Sequence, residues 1–159
     1  MAYDNLASAY VTCAMYPEAC AVLEALRNMN PRYGELYSLL GVVYYELGRV
    51  KEAFETLQHA VAVCAHSFKP YFNLAAVYYR EKRYQEAYQY LMQAEAISPY
   101  ISRVYYLKFH IACELHKEDE IHSSAEWLRT FDPSLFSHIK EQLAGFMGHQ
   151  TASGEKSIV

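Results

Sequence analysis

A five-residue figure returns along this chain at a fixed interval, and that interval constrains the fold more than any other feature. Leu6-Ala7-Ser8-Ala9-Tyr10, Leu40-Gly41-Val42-Val43-Tyr44 and Leu74-Ala75-Ala76-Val77-Tyr78 stand 34 residues apart. An aromatic residue precedes each figure as Tyr3, Tyr37, Tyr71 and again as Tyr105. A small residue follows as Ala19, Ala53 and Ala87, and a proline closes the unit as Pro31, Pro99 and Pro133. Slots that return together in register define a repeat. Such a unit cannot bury its apolar face alone and must stack on its neighbours. In the best-preserved unit Leu40, Gly41 and Tyr44 share one side of a helix, Gly48 breaks that helix, and Glu52-Ala53 lies early in a second.

This pattern resembles the tetratricopeptide repeat (TPR), a helix–turn–helix unit of the same length with an aromatic slot, a Leu-Gly-x-x-Tyr figure, a central Ala and a closing Pro. The resemblance implies an all-α fold, a right-handed α-α superhelix (solenoid) of four TPR helix-turn-helix repeats. The repeats would be 1–33, 34–67, 68–101 and 102–135, with a C-terminal capping helix over 136–147 and a small, polar, disordered tail over 148–159. The second and third units match best, although Ala65 stands where the second should close with Pro. The fourth has drifted: Lys108 and Phe109 occupy the Leu-Gly slots, Ala112 the Tyr slot and Ile121 the Ala slot. Terminal repeats are expected to be atypical. In the capping helix Leu135, Ile139, Leu143 and Phe146 line one face, while His138, Lys140, Glu141 and Gln142 face away. Tyr3 fills the first aromatic slot with only Met1 and Ala2 before it, as expected of a natural start or of a piece of a longer array.

The 14 basic and 18 acidic residues leave a formal charge of −4, which argues against a nucleic-acid partner. No apolar run is long enough to cross a bilayer, and no secretory signal opens the chain, so neither membrane insertion nor export is expected. Cys13, Cys20, Cys64 and Cys113 form no C-x-x-C pair and fall inside helical patterns. They read as small buried hydrophobes of a reduced, cytoplasmic protein. A nucleophile elbow, a phosphate-binding loop and an H-E-x-x-H figure are all missing, so no enzyme activity, metal or cofactor is expected. The competing class is a metal protein or enzyme using His110, Cys113 and Glu114, which share a helix face and are ligand types zinc accepts.

Packing between repeats uses one face of each first helix and leaves another. In the second unit that other face comprises Glu35, Ser38, Leu39, Val42, Tyr45 and Glu46. In the third it comprises Lys69, Phe72, Asn73, Ala76, Tyr79 and Arg80. In the fourth it is Arg103, Tyr106, Leu107, His110, Cys113 and Glu114, and in the first Asp4, Asn5, Ser8, Val11 and Thr12. The resemblance places these on the concave side, where peptides bind in the family. Leu39, Val42, Tyr45, Phe72, Ala76, Tyr79, Tyr106 and Leu107 are expected to form an apolar, aromatic strip. Asn5 and Asn73 would bond a peptide backbone, and Lys69, Arg80 and Arg103 would read a carboxylate or an acidic side chain. Asn73 and Arg103 match parts of the carboxylate clamp of chaperone-binding members, but Ser38 and Val42 stand where a basic residue and an Asn would complete it. The expected function is a non-catalytic scaffold, adaptor or co-chaperone that holds a peptide segment of a partner protein. The alternatives are a bacterial type III secretion-type chaperone and self-association through the same strip as a homodimer.

Overall fold

The computed structural model describes the backbone of residues 2–30 and 33–154 and the side chains of 5–30 and 33–146. Among the described residues the chain is helical throughout and has no strand. The helices are α1 (Ala2–Thr12), α2 (Tyr16–Met29), α3 (Gly34–Glu46), α4 (Val50–Val63), α5 (Phe68–Arg80), α6 (Tyr84–Ile97), α7 (Ser102–Glu114), α8 (Glu118–Phe131) and α9 (Pro133–Gly154). They fall into two compact units, Met1–Pro99 with α1 to α6 and Tyr100–Val159 with α7 to α9. No helix of the described residues is long and apolar enough to cross a membrane.

Each helical hairpin is turned by the same device. Ala14, Gly48, Lys82 and His116 all adopt the left-handed conformation, with φ of 57°, 76°, 60° and 53°. The residue at this position donates its N–H three residues back, and the next donates five residues back. Gly48 bonds Tyr45 O at 2.9 Å and Arg49 bonds Tyr44 O at 2.9 Å; Lys82 with Arg83, and His116 with Lys117, repeat the pattern. These paired bonds satisfy the last carbonyls of the first helix. A left-handed residue suits glycine, which has no Cβ to meet the following carbonyl. Only Gly48 announces its turn in the sequence; Ala14, Lys82 and His116 adopt the same geometry without glycine.

In the second and third repeats the recurring slots are core, whereas in the first Ala7 and Ala19 are buried but Leu6 is 41 % exposed and Tyr10 only half-buried. Leu40, Leu57, Leu74, Leu91, Ala53, Ala87, Ala60 and Ala94 are fully buried. Gly41 lies where a Cβ would stand 2.5 Å from Leu57 Cγ and 3.3 Å from the Ala53 carbonyl, so α3 and α4 touch backbone to side chain there. Tyr44 and Tyr78 in the Tyr slots are buried. Tyr44 donates its hydroxyl to Glu24 at 2.8 Å while the Arg49 guanidinium lies 4.1 Å over its ring. Arg83 sits 4.7 Å over Tyr78 in the same way, and each arginine is held by a glutamate three residues on, Glu52 and Glu86.

The second unit is built around Phe109, Ala112, Ile121, Ala125, Leu128 and Ile139, against which Tyr105, Trp127, Leu135, Phe136, Leu143 and Phe146 pack. Lys108 is 7 % exposed, and its ammonium meets Glu120 at 2.8 Å. Asp132 caps α9 by accepting the Leu135 N–H at 3.0 Å, and Pro133 starts the helix where its missing N–H is no loss. The helix expected over 136–147 is longer at both ends, and 148–154, assigned to the tail from the sequence, is helical. Residues 155–159 lie outside the described residues, as do Pro31 and the side chains of Tyr3 and Asp4. The cysteines also differ from expectation. Only Cys20 is buried; Cys13 is exposed and Cys64 and Cys113 are partly so. Cys13 and Cys64, expected inside helices, stand just past the ends of α1 and α4, where the buried face no longer continues.

Candidate functional site

The site is built on α3 and α5, neighbouring first helices within the first unit. Their inward residues are fully buried, whereas Leu39, Val42 and Tyr45 on α3 and Phe72, Ala76 and Tyr79 on α5 are half-exposed. These six are the members of the expected strip that lie on α3 and α5, and Leu39 and Tyr45 also pack against the core. Beside them, α3 and α5 are stitched by polar contacts between residues one repeat apart. Lys69 Nζ lies 3.8 Å from Glu35 Oε1. Arg80 is ion-paired with Glu46, and its guanidinium lies 4.4 Å over the Tyr45 ring. Tyr45 donates its hydroxyl to Glu81 at 2.8 Å. Asn73 donates its amide N–H groups to Ser38, at 3.0 Å to Oγ and 3.3 Å to the backbone oxygen.

These contacts set the electrostatics. The hydrogen bond to Glu46 holds the Arg80 guanidinium more firmly protonated than usual, with burial opposing. Burial raises the Tyr45 hydroxyl above the ordinary tyrosine range, and its bond to Glu81 adds to the shift. The face therefore offers two cations, each already against a carboxylate. Lys69, Arg80 and Asn73, expected to read a carboxylate and a peptide backbone, are thus already in contact with Glu35, Glu46 and Ser38. The signal was in the sequence, since Glu35 and Lys69, and Glu46 and Arg80, fill the same slot of successive repeats with opposite charge.

The other expected site residues lie elsewhere. Asn5 is exposed on α1. Arg103, Tyr106, Leu107 and His110 lie on α7 in the second unit. Arg103 is exposed and Tyr106 half-buried, but Leu107 is only 9 % exposed and is core rather than open surface. A helix period places a residue on a face to within one position, and Leu107 falls on the buried side of that margin. Tyr106 and Phe109 meet the His110 ring edge-on, with centroids 4.6 and 5.5 Å away. Burial lowers the His110 pKa below the usual histidine range despite Glu114 nearby, and burial pushes the Cys113 thiol up to about 11. Such a thiol stays protonated near neutrality and is a poor nucleophile. Among the described residues no three His, Cys, Asp or Glu side chains come together to hold a metal ion, so His110, Cys113 and Glu114 do not form a metal cluster.

Short helices paired through a left-handed turn, repeated at a constant interval and leaving a half-open face on each first helix, define a helical-repeat protein. Residues 41–82 match the family described as TPR repeat, and residues 68–100 the family described as tetratricopeptide repeat. Residues 41–100 therefore carry tetratricopeptide repeats, and the fold of the chain is that of TPR proteins. It is similar in fold to TTC0263, a thermophilic TPR protein of Thermus thermophilus, with 21 % identity over 91 % of this chain and 80 % of that one and a TM-score of 0.76. It is also similar to YrrB, a TPR protein with an unusual peptide-binding site (22 % identity, 88 % and 73 % covered, TM-score 0.69). MamA shows the same fold at 17 % identity, with 94 % and 95 % covered and a TM-score of 0.69. No curated protein matches the sequence.

Proposed function

We propose that this chain is a non-catalytic protein-binding module that holds an extended or helical peptide segment of a partner on the α3/α5 face, acting as a scaffold, adaptor or co-chaperone in the cytoplasm. One observation carries the reading. Leu39, Val42, Tyr45, Phe72, Ala76 and Tyr79 stay half-exposed side by side while the core slots of the same helices are closed. A packed solenoid has no need of apolar side chains there, and contiguous exposed apolar surface marks binding sites. Tyrosine suits such a face because it offers large area with few rotamers to freeze. The peptide-binding site of YrrB, a neighbour in fold, agrees with this use of the scaffold. A client-holding secretion chaperone would use the same face, as would a second copy of this chain.

The test is the double variant Tyr45→Ala/Tyr79→Ala. Its helicity by circular dichroism should match the parent, while affinity for a verified partner peptide falls by ~1–3 kcal/mol per ring if both are central anchors. Unchanged affinity would remove the two tyrosines from the site. Sedimentation velocity on the same pair separates the homodimer: a dimer that dissociates on losing the rings would make the occupant a second copy.

A further inference from the structure

We infer that the segment bound on the α3/α5 face is apolar and carries no acidic side chains, being neutral or basic, because the positive charge of this face is already consumed within the molecule. The inference rests on the peptide-binding reading above and narrows it. Lys69 faces Glu35, Arg80 is ion-paired with Glu46, and Glu81 at the edge of the face accepts the Tyr45 hydroxyl. Three carboxylates thus stand against two cations, and the face is left slightly negative. An acidic ligand would have to displace Glu35 or Glu46 from its partner and would meet the freed carboxylate as a like charge. The amide nitrogen of Asn73, a donor that would grip a carboxylate, is already within hydrogen-bond distance of Ser38 Oγ and its backbone oxygen.

The same contacts prepare the apolar part. Arg80 covers one face of the Tyr45 ring, and Glu81 fixes the hydroxyl, so the ring is held in place before a ligand arrives. Preorganised aromatic surface binds without the cost of ordering side chains. Recognition then falls on Leu39, Val42, Phe72 and Ala76 beside that ring, and apolar contact of this kind is indifferent to salt.

The inference is tested by panning a random dodecapeptide display library on the full chain and synthesising the best-enriched peptide. Enriched sequences should be rich in aromatic and aliphatic residues and poor in Asp and Glu. Affinity of an enriched peptide without charged side chains should change less than about two-fold between roughly 50 and 500 mM salt, and Phe72→Ala should weaken it about ten-fold. The variant Glu35→Gln/Glu46→Gln frees Lys69 and Arg80. These are surface pairs that contribute little to stability, so the variant folds. It should bind the same peptide carrying two added aspartates at least about five-fold more tightly than the parent chain does. Acidic sequences among the winners, or no gain for the aspartate peptide on the double variant, would overturn the inference while leaving the binding face in place. If no enriched peptide responds to Phe72→Ala, the binding face itself is wrong.

Discussion

The α3/α4 and α7/α8 hairpins share one backbone plan and fill it in opposite ways. In α3/α4 the four core slots hold Leu40, Gly41, Tyr44 and Ala53, large, minimal, large and small. In α7/α8 the same slots hold Lys108, Phe109, Ala112 and Ile121, and all eight are buried. Volume lost where Tyr44 becomes Ala112 returns where Gly41 becomes Phe109 and Ala53 becomes Ile121. Interiors tolerate such exchange when total volume is kept. The polar anchor moves too: Tyr44 reaches Glu24 in the preceding hairpin, while Lys108 reaches Glu120 within its own. The first hairpin therefore depends on a neighbour for polar satisfaction, and the other supplies its own.

The comparison breaks most severely at Ala53. Ala53→Glu buries a carboxylate without a partner in a slot of zero exposure and should unfold the first unit, a loss of about 4 kcal/mol or more by chemical denaturation. A folded, cooperative variant would show that the slot is not closed. Phe109→Ala should cost about 3–5 kcal/mol, whereas Phe72→Ala, on the half-open face, should cost far less. Equally large losses would place Phe72 in the core rather than on an open face.

Volume exchange itself is sharpened by grafting. Gly41→Phe drives a side chain into Leu57, where even a Cβ is too close, and should cost at least about 3 kcal/mol. Adding Tyr44→Ala should return part of that loss. A double variant no better than the sum of its singles would show that the slots do not trade volume. The turns give the smallest stability effect. Lys82→Gly and His116→Gly relieve a left-handed residue and should each stabilise by roughly 0.5–1 kcal/mol, while Gly48→Ala should destabilise by a similar amount. Melting temperatures of the three variants read the sign.

His110 gives the second unit a pH dependence. Burial holds its folded pKa below the unfolded value, so the unfolded chain binds more protons between the two. That contribution to stability is full above about pH 6.5 and is lost as pH falls from there towards the folded pKa. His110→Phe should flatten the slope, as urea titrations across that range would show. The Cys113 thiol, pushed up to about 11, should react with a maleimide near neutrality far more slowly than exposed Cys13.

Much of this was legible in the residues. The interval located every hairpin, and the slots held by Leu40, Leu74, Ala53 and Ala87 are the core that their spacing foretold. Gly48 marked its own turn. The half-open strip of Leu39, Val42, Tyr45, Phe72, Ala76 and Tyr79 followed from subtracting the packing slots from each helix. Lys108 and Phe109 were less legible: a charged residue in a core slot becomes intelligible only with Glu120 beside it.

By itself, then, the sequence determined the repeat, its helices and, to within one position, which side of each helix is closed, because those depend on residue spacing along one stretch of chain. The tertiary structure decided which of the charges on the open side meet. Lys69, Arg80 and Asn73 look available in sequence, and they are engaged by Glu35, Glu46 and Ser38. Helical period assigns a residue to a face, but an ion pair or hydrogen bond exists only when stacking brings two side chains of different repeats within a few ångströms, and only packing sets that distance.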